Sequence, residues 1–350
     1  MSFNYLETPF YDIPELKESR LEIYDKLIVI PPLDKYLHLI IIEWNRDYPI
    51  PPLPNNILVL EVRCNYKFPL DNLPSTIEIL SLDYTYQFPL PNLPINLYQF
   101  QFDPLSFYKN IQTKYINNNS FERLPESLKM LNITYVINQS SYNLPIGLKS
   151  LQFSSETFND DIMCYPPTLE YICAGYYNEH IYEFESRTSK QLDTYFNFIN
   201  LPLSLKTLEL PEYNISNLEN IIARLIHLEE LHIPYSFSDQ IHKYPPNLIN
   251  LYFESIFSYK LVNLPASLKY LCIPFYNDSL EAVAASNIEH LDLYENQNIS
   301  IINYLPKSLK KITIIETHFE LSKIKQQYPH IEIIKVIDSD YQEELIKLNY

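Results

Sequence analysis

Tyr48-Pro49-Ile50 is followed by Phe68-Pro69-Leu70 and then by Phe88-Pro89-Leu90, a spacing of 20 residues held twice. Between these markers stand Leu53-Pro54 with Ile57, Leu60 and Val62, then Leu73-Pro74 with Ile77, Leu80 and Leu82, then Leu93-Pro94 with Leu97, Phe100 and Phe102. Each unit reads Leu-Pro, two variable residues, an aliphatic, two variable, an apolar residue, one variable, an apolar residue. A fixed period of about 20 to 50 residues is the mark of a repeat architecture, in which a unit buries its apolar side only by stacking on its neighbours. A chain of 350 residues need not then form one compact core.

The template recurs along the chain. Units open at Leu33, Leu53, Leu73, Leu93, Leu124, Leu144, Tyr165, Leu201, Arg224, Tyr244, Leu264, Ala284, Leu305 and Tyr328, fourteen in all. Longer spacings place insertions at 103–123 and 175–200. The closing aliphatics alternate with variable residues, which is the period of a strand. Connections of one length, too long for tight hairpins, require parallel stacking. The expected fold is therefore α/β: a curved parallel β-sheet of about 14 short strands, with mostly extended or single-turn return segments and a few short helices.

Residues 1–32 precede the repeats and are expected to cap the first one. Asp12-Ile13-Pro14-Glu15 carries helix-start chemistry, which predicts a helix over 13–27. The repeat solenoid is assigned to 33–337 and a C-terminal cap helix to 338–350, opening at Asp340. Within the repeats, Ser216-Asn217-Leu218-Glu219 reads as a capping box ahead of Ile221, Ile222 and Leu225. Weaker helical patterns run from Asp278 to Ala285 and from Leu321 to Tyr328.

Composition narrows function mainly by exclusion. With two glycines in the chain there is no glycine-rich phosphate cradle, and turns at positive φ fall to Asn or Asp. A net charge of −17 disfavours nucleic acid; its first reading is solubility, and a basic protein partner is the alternative one. Cys64, Cys164, Cys173 and Cys272 form no C-x-x-C pair, so no zinc site is expected and a reduced compartment fits best. The N-terminal stretch lacks the pattern of a signal peptide, and no apolar run approaches membrane length. The expectation is a cytoplasmic monomer that binds neither membrane nor cofactor. The His residues are scattered and the carboxylate pairs Glu229-Glu230 and Asp160-Asp161 are adjacent, so no acid–base constellation forms and no enzyme is expected.

Four octads carry a resemblance: Leu124-Pro-Glu-Ser-Leu-Lys-Met-Leu131, Leu201-Pro-Leu-Ser-Leu-Lys-Thr-Leu208, Leu264-Pro-Ala-Ser-Leu-Lys-Tyr-Leu271 and Leu305-Pro-Lys-Ser-Leu-Lys-Lys-Ile312. With their period they resemble leucine-rich repeats, and more narrowly the FNIP repeat of social amoebae and of giant viruses that infect amoebae. The Phe-Asn of that repeat stands at Phe158-Asn159 and Phe196-Asn197 and is replaced by Phe-Pro at Phe68 and Phe88. The resemblance covers roughly 33–337. It implies a leucine-rich-repeat-like solenoid that binds other proteins, in the host cytoplasm if the chain is viral. Some relatives carry an N-terminal F-box, so the alternative reading is an F-box-like substrate adaptor of a ubiquitin ligase acting through residues 1–45.

In such a solenoid the variable residue between the closing aliphatics faces outward and lines the concave binding surface. That column begins at Ile41 and Glu61 and ends at Thr313 and Lys335. Tyrosines, acids and histidines concentrate in its later part. The candidate partner-binding face is Tyr171, Glu209, Glu230, His232, Tyr252, Glu254, Tyr270, His290, Asp292 and Tyr294. Aromatic rings beside charge are what binding hot spots are enriched in.

Overall fold

The computed structural model describes residues 16, 18–25, 29–83, 85–86, 88–90, 92–103, 123–133, 144–153, 164–174, 200–210, 217–234, 237, 240–253, 260–274, 276, 280–293, 305–315 and 321–336. The chain is a leucine-rich-repeat-like parallel β-solenoid, with fifteen short strands among the described residues. It divides into two compact units. The N-terminal unit carries β1 (Arg20–Ile23), β2 (His38–Ile41), β3 (Val59–Val62), β4 (Ile79–Asp83), β5 (Gln99–Asp103), β6 (Met130–Asn132) and β7 (Ser150–Gln152). The C-terminal unit carries β8 (Tyr171–Cys173), β9 (Thr207–Glu209), β10 (Glu230–Ile233), β11 (Asn250–Phe253), β12 (Tyr270–Cys272), β13 (His290–Leu293), β14 (Lys311–Ile315) and β15 (Glu332–Val336). Within each unit every strand is parallel to the one before it.

The Leu-Pro motif makes the turn that launches each strand. The amide of the aliphatic three residues on donates to the proline carbonyl: Ile57 to Pro54 at 3.3 Å, Leu128 to Pro125 at 3.0 Å, Leu268 to Pro265 at 3.1 Å. Proline fixes φ there and forfeits an amide that the ladder does not use. The Ser, Thr or Asn before that aliphatic ties the turn to the previous unit. Ser127 Oγ lies 2.8 and 2.7 Å from the carbonyls of Ile95 and Leu97, and Ser267 Oγ 3.0 and 2.7 Å from those of Pro246 and Leu248. Thr168 bonds Ile146 and Leu148 in the same way, and Asn56 bonds Asp34 and Tyr36. The conserved look of Leu-Pro-x-Ser-Leu within this chain is thus the geometry of one turn locked to its neighbour.

The apolar residues of the template fill the interior of each unit. Leu60, Leu80 and Phe100 in one unit and Leu231, Leu251, Leu271 and Leu291 in the other are fully buried and stand opposite one another in register. Tyrosine closes the return side. Buried Tyr66, Tyr86 and Tyr276 each accept, on the hydroxyl, the backbone amide of an earlier return segment, Ile50, Leu70 and Leu261 respectively. The described residues at positive φ are Asn72, Asn217 and Asn263, as the shortage of glycine requires.

Several expectations change. The helix over 13–27 gives way, after Leu16 and Glu18, to β1, whose backbone pairs with β2 in place of the solvent an exposed first strand would face. The first repeat is shifted by one residue. Tyr36 donates to Leu33, the counterpart of Ile57 to Pro54, so Leu39 pairs with Leu60 and Ile40, not Ile41, stands opposite Glu61. At the last strand Ile334, not Lys335, stands opposite Thr313: the turn bond from Ile331 to Tyr328 spans three residues like the others, but the strand starts one residue sooner after it. The helix Leu218–Ile222 is preceded by Asn217 in the left-handed region with no side-chain cap, so the capping box does not form as read, and Ser216 lies outside the described residues. Ile221, Ile222 and Leu225 are buried as expected, and helices at Glu281–Ala284 and Leu321–Gln327 occupy the two weaker patterns. The insertion interiors at 104–122 and 175–199, and the terminal helix expected over 338–350, lie outside the described residues.

Candidate functional site

In the C-terminal unit the register builds two parallel columns. One runs Tyr171, Thr207, Glu230, Asn250, Tyr270, His290, Lys311. The other, two residues further along each strand, runs Cys173, Glu209, His232, Tyr252, Cys272, Asp292, Thr313. Strands about 4.8 Å apart bring each side chain within van der Waals or hydrogen-bond reach of the next.

The rings form an unbroken row. His232 stacks on Tyr252 with centroids 4.1 Å apart. Tyr252 meets Tyr270 at 4.9 Å, and Tyr270 meets His290 edge-on at 4.7 Å. Acids stitch the row together. Tyr171 donates to Glu209 at 2.7 Å, and His232 sits 3.0 Å from one oxygen of Glu230 while Asn250 donates to the other at 2.9 Å. Asp292 lies 2.9 Å from His290 and accepts the Tyr270 hydroxyl. Of the ten residues expected to form the face, eight are brought together here; Glu254 and Tyr294 lie outside the described residues.

The row is far more enclosed than a solvent-facing column was expected to be. Glu209, Glu230, His232 and Asp292 are buried, and Tyr171, Tyr252, Tyr270 and His290 are half-buried. Large side chains repeated at strand spacing shield one another. Burial alone would raise the Asp292 carboxyl, but hydrogen bonds from His290, Thr313 and Tyr270 outweigh it and hold the group below its ordinary range. Burial, and then the Glu230 charge, push the Tyr252 hydroxyl up, so it stays protonated.

The N-terminal unit carries a different network on the corresponding column. Glu61 is fully buried, 2.6 Å from His38, and accepts two bonds from Arg63 at 2.8 and 2.6 Å. Burial would raise its carboxyl, and the His38 and Arg63 contacts overturn that. Ser81, Gln99 and Gln101 continue the strip, with Gln101 donating to Ser81 at 3.1 Å. Sequence reasoning placed Glu61 in the outward column but missed its partners His38 and Arg63, and it missed Asn250. The register of the flanking columns was the signal for both. Among the described residues no His, Cys, Asp and Glu cluster could hold a metal ion, and no helix is long and apolar enough to cross a membrane.

Turn, strand and column together define a leucine-rich-repeat-like solenoid with a self-paired aromatic and acidic row. No protein-family profile matches the chain, and no curated protein sequence does. Among solved structures it is similar to YopM of Yersinia enterocolitica, at 18% identity over 81% of this chain and TM-score 0.40; the match covers 66% of YopM, just under two thirds. It is also similar to the leucine-rich-repeat protein LIC12759 of Leptospira interrogans (13% identity, 86% of this chain, 90% of that one, TM-score 0.36). A third likeness is to the circular leucine-rich-repeat protein CroV588 (16% identity, 91% and 71%, TM-score 0.27).

Proposed function

We propose that this chain is a non-catalytic protein-binding solenoid whose row from Tyr171 to Asp292 receives a basic partner. The observation that carries the reading is the row itself: two tyrosines and two histidines in continuous ring contact, threaded by Glu209, Glu230 and Asp292. Rings held by their neighbours lose little freedom on binding, so contact area is obtained at low entropic cost. The carboxylates serve as structural acceptors, which supports binding rather than catalysis. With a net charge of −17 the chain also draws a basic partner over long range. No disulfide joins Cys64, Cys164, Cys173 and Cys272, which supports an intracellular setting. The adaptor alternative over residues 1–45 loses support, because β1 and β2 commit Arg20–Ile23 and His38–Ile41 to the sheet.

The test is quantitative capture from cell lysate by the full chain and by a Glu230→Gln/Asp292→Asn variant of unchanged fold. The reading expects basic proteins enriched by the first and depleted with the second. Equal enrichment by both would remove the row from the account.

A further inference from the structure

The residues that precede the strands β8 to β14 form a second row in the C-terminal unit: Glu170, Lys206, Glu229, Ile249, Lys269, Glu289 and Lys310. From Lys206 onward each amide donates to the carbonyl of the residue before it in the row, at 2.8 to 2.9 Å. Strand spacing sets successive members about 4.8 Å apart. All seven are exposed or half-exposed. Neighbours pair within the chain. Lys206 lies 2.7 Å from Glu170 and also feels the Glu229 charge, while Glu289 takes both Lys269 and Lys310.

Three carboxylates and three ammonium groups cancel, so the row is neutral on a chain of net charge −17. The order of the signs is minus, plus, minus, neutral, plus, minus, plus, which is antisymmetric about Ile249. Laid antiparallel on a second copy with Ile249 at the centre, the row sets Glu229 against Lys269, Lys206 against Glu289 and Glu170 against Lys310, each pair twice. Had the alternation kept its phase across Ile249, Glu229 would meet a like charge. Pairing between neighbours within one chain does not fix that phase. The centre is apolar: Ile249 is 38% exposed and stands beside exposed Pro246. A groove of 390 Å³ opens there, lined by His227, Glu229, Asn247, Ile249, Ser267 and Lys269. Asn247 and Ser267 turn donors back to the carbonyls of Ile226, Pro246 and Leu248. An apolar centre with a charged rim is the anatomy of a protein interface.

We propose that this row is a self-association surface, at which two chains join about a two-fold axis through Ile249, in place of the monomer that the sequence suggests. A two-fold contact presents the same patch from both sides, so a patch that joins this way must complement itself, as this row does. The neutral row is also where a second chain of charge −17 is least opposed. This surface is separate from the ring row and does not depend on it.

The test is sedimentation equilibrium of the full chain over a concentration series up to about 300 μM, a range that reaches weak interfaces. The mass rises toward that of two chains. Lys269→Glu sets like charges opposite Glu229 on both sides of the axis and weakens dimerisation at least about tenfold, and Glu229→Lys does the same opposite Lys269. Mixing the two reversed chains restores the parental affinity to within about threefold, because every sign again meets its opposite. Glu229 and Lys269 lie two strands apart in one chain, and mixing leaves each chain's own contacts as they were, so only pairing between chains gives this recovery. Unchanged thermal midpoints check folding. Should a reversed chain unfold, Ile249→Lys, which sets two ammonium groups on the axis from an exposed position, replaces it and also weakens dimerisation at least about tenfold. A single-chain mass throughout the series, dimerisation unchanged in the folded variants, or no recovery on mixing would each overturn the proposal.

Discussion

The imidazole of His232 lies flat on the ring of Tyr252, with centroids 4.1 Å apart and planes 9° from parallel. The two residues stand directly opposite on β10 and β11, so strand pairing sets the stack. The same register places Leu231, Leu251 and Leu271 in line on the opposite side of the sheet. Ring row and core are thus two faces of one alignment.

Leu271 is fully buried between Leu251 and Leu291. Leu271→Ala is expected to cost ~2–5 kcal/mol in urea titration, the usual penalty for an emptied core leucine site. For a fully exposed side chain, Tyr270→Ser would cost within about 1 kcal/mol. Ring contacts with Tyr252 and His290, and the hydroxyl on Asp292, raise that expectation to roughly 2 kcal/mol, still below Leu271→Ala. A Tyr270→Ser cost above that of Leu271→Ala would refute the assignment of faces.

The turn ladder makes a graded prediction. Ser267→Ala removes the hydroxyl shared by Pro246 and Leu248 and is expected to cost ~0.5–1.5 kcal/mol. Tyr276→Phe strands the buried Leu261 amide and is expected to cost more, ~1–3 kcal/mol, since an unmade buried bond is penalised in full. The order of the two in one denaturant series is the check.

Acid should destabilise the fold in a defined way. The carboxyls of Glu61 and Asp292 are held below their ordinary values in the folded chain. A depressed folded value contributes stability that is complete above the unfolded value and is lost as pH falls through the folded one. Melting midpoints should therefore be level near neutrality and drop below the ordinary carboxylate range. In Asp292→Asn the midpoint should be lower near neutrality and its fall with acid shallower. An unchanged slope would mean that Asp292 is not held by His290, Thr313 and Tyr270.

Burial, aided by the Asp83 charge, pushes the Cys64 thiol up to about 12. Its thiolate is scarce at pH 8, and alkylation proceeds through the thiolate. Iodoacetamide followed by peptide mass analysis should label Cys64 far more slowly in the folded chain than in urea. Equal labelling rates would contradict its placement.

Much of the architecture was legible because one turn is written out many times. Leu-Pro with its following Ser or Asn marks each strand start, and the alternation of Leu60 and Val62 with Glu61 between them marks its two faces. The ends were less legible for the same reason. Leu33 and Tyr328 take the place of the turn proline, and after Tyr328 the strand starts a residue sooner, which puts Ile40 and Ile334 in the outward column. β1 has no Leu-Pro turn before it, and its partner β2 supplies the order that its own sequence does not signal. The enclosure of Glu209, Glu230 and Asp292 was hidden because it arises between repeats: each is a surface residue in its own unit and is covered by side chains one strand away.

The central claim is that the ring row is the partner-binding surface. With a captured basic partner, surface-based kinetics of the full chain and of a folded Tyr252→Ala/Tyr270→Ala variant at two salt concentrations test it most directly. The account predicts an affinity loss of ~2 kcal/mol or more, carried mainly by faster dissociation. It also predicts that higher salt slows association to both chains, because Glu209, Glu230 and Asp292 remain. Unchanged affinity in the double variant would contradict the account and move the binding surface away from this row.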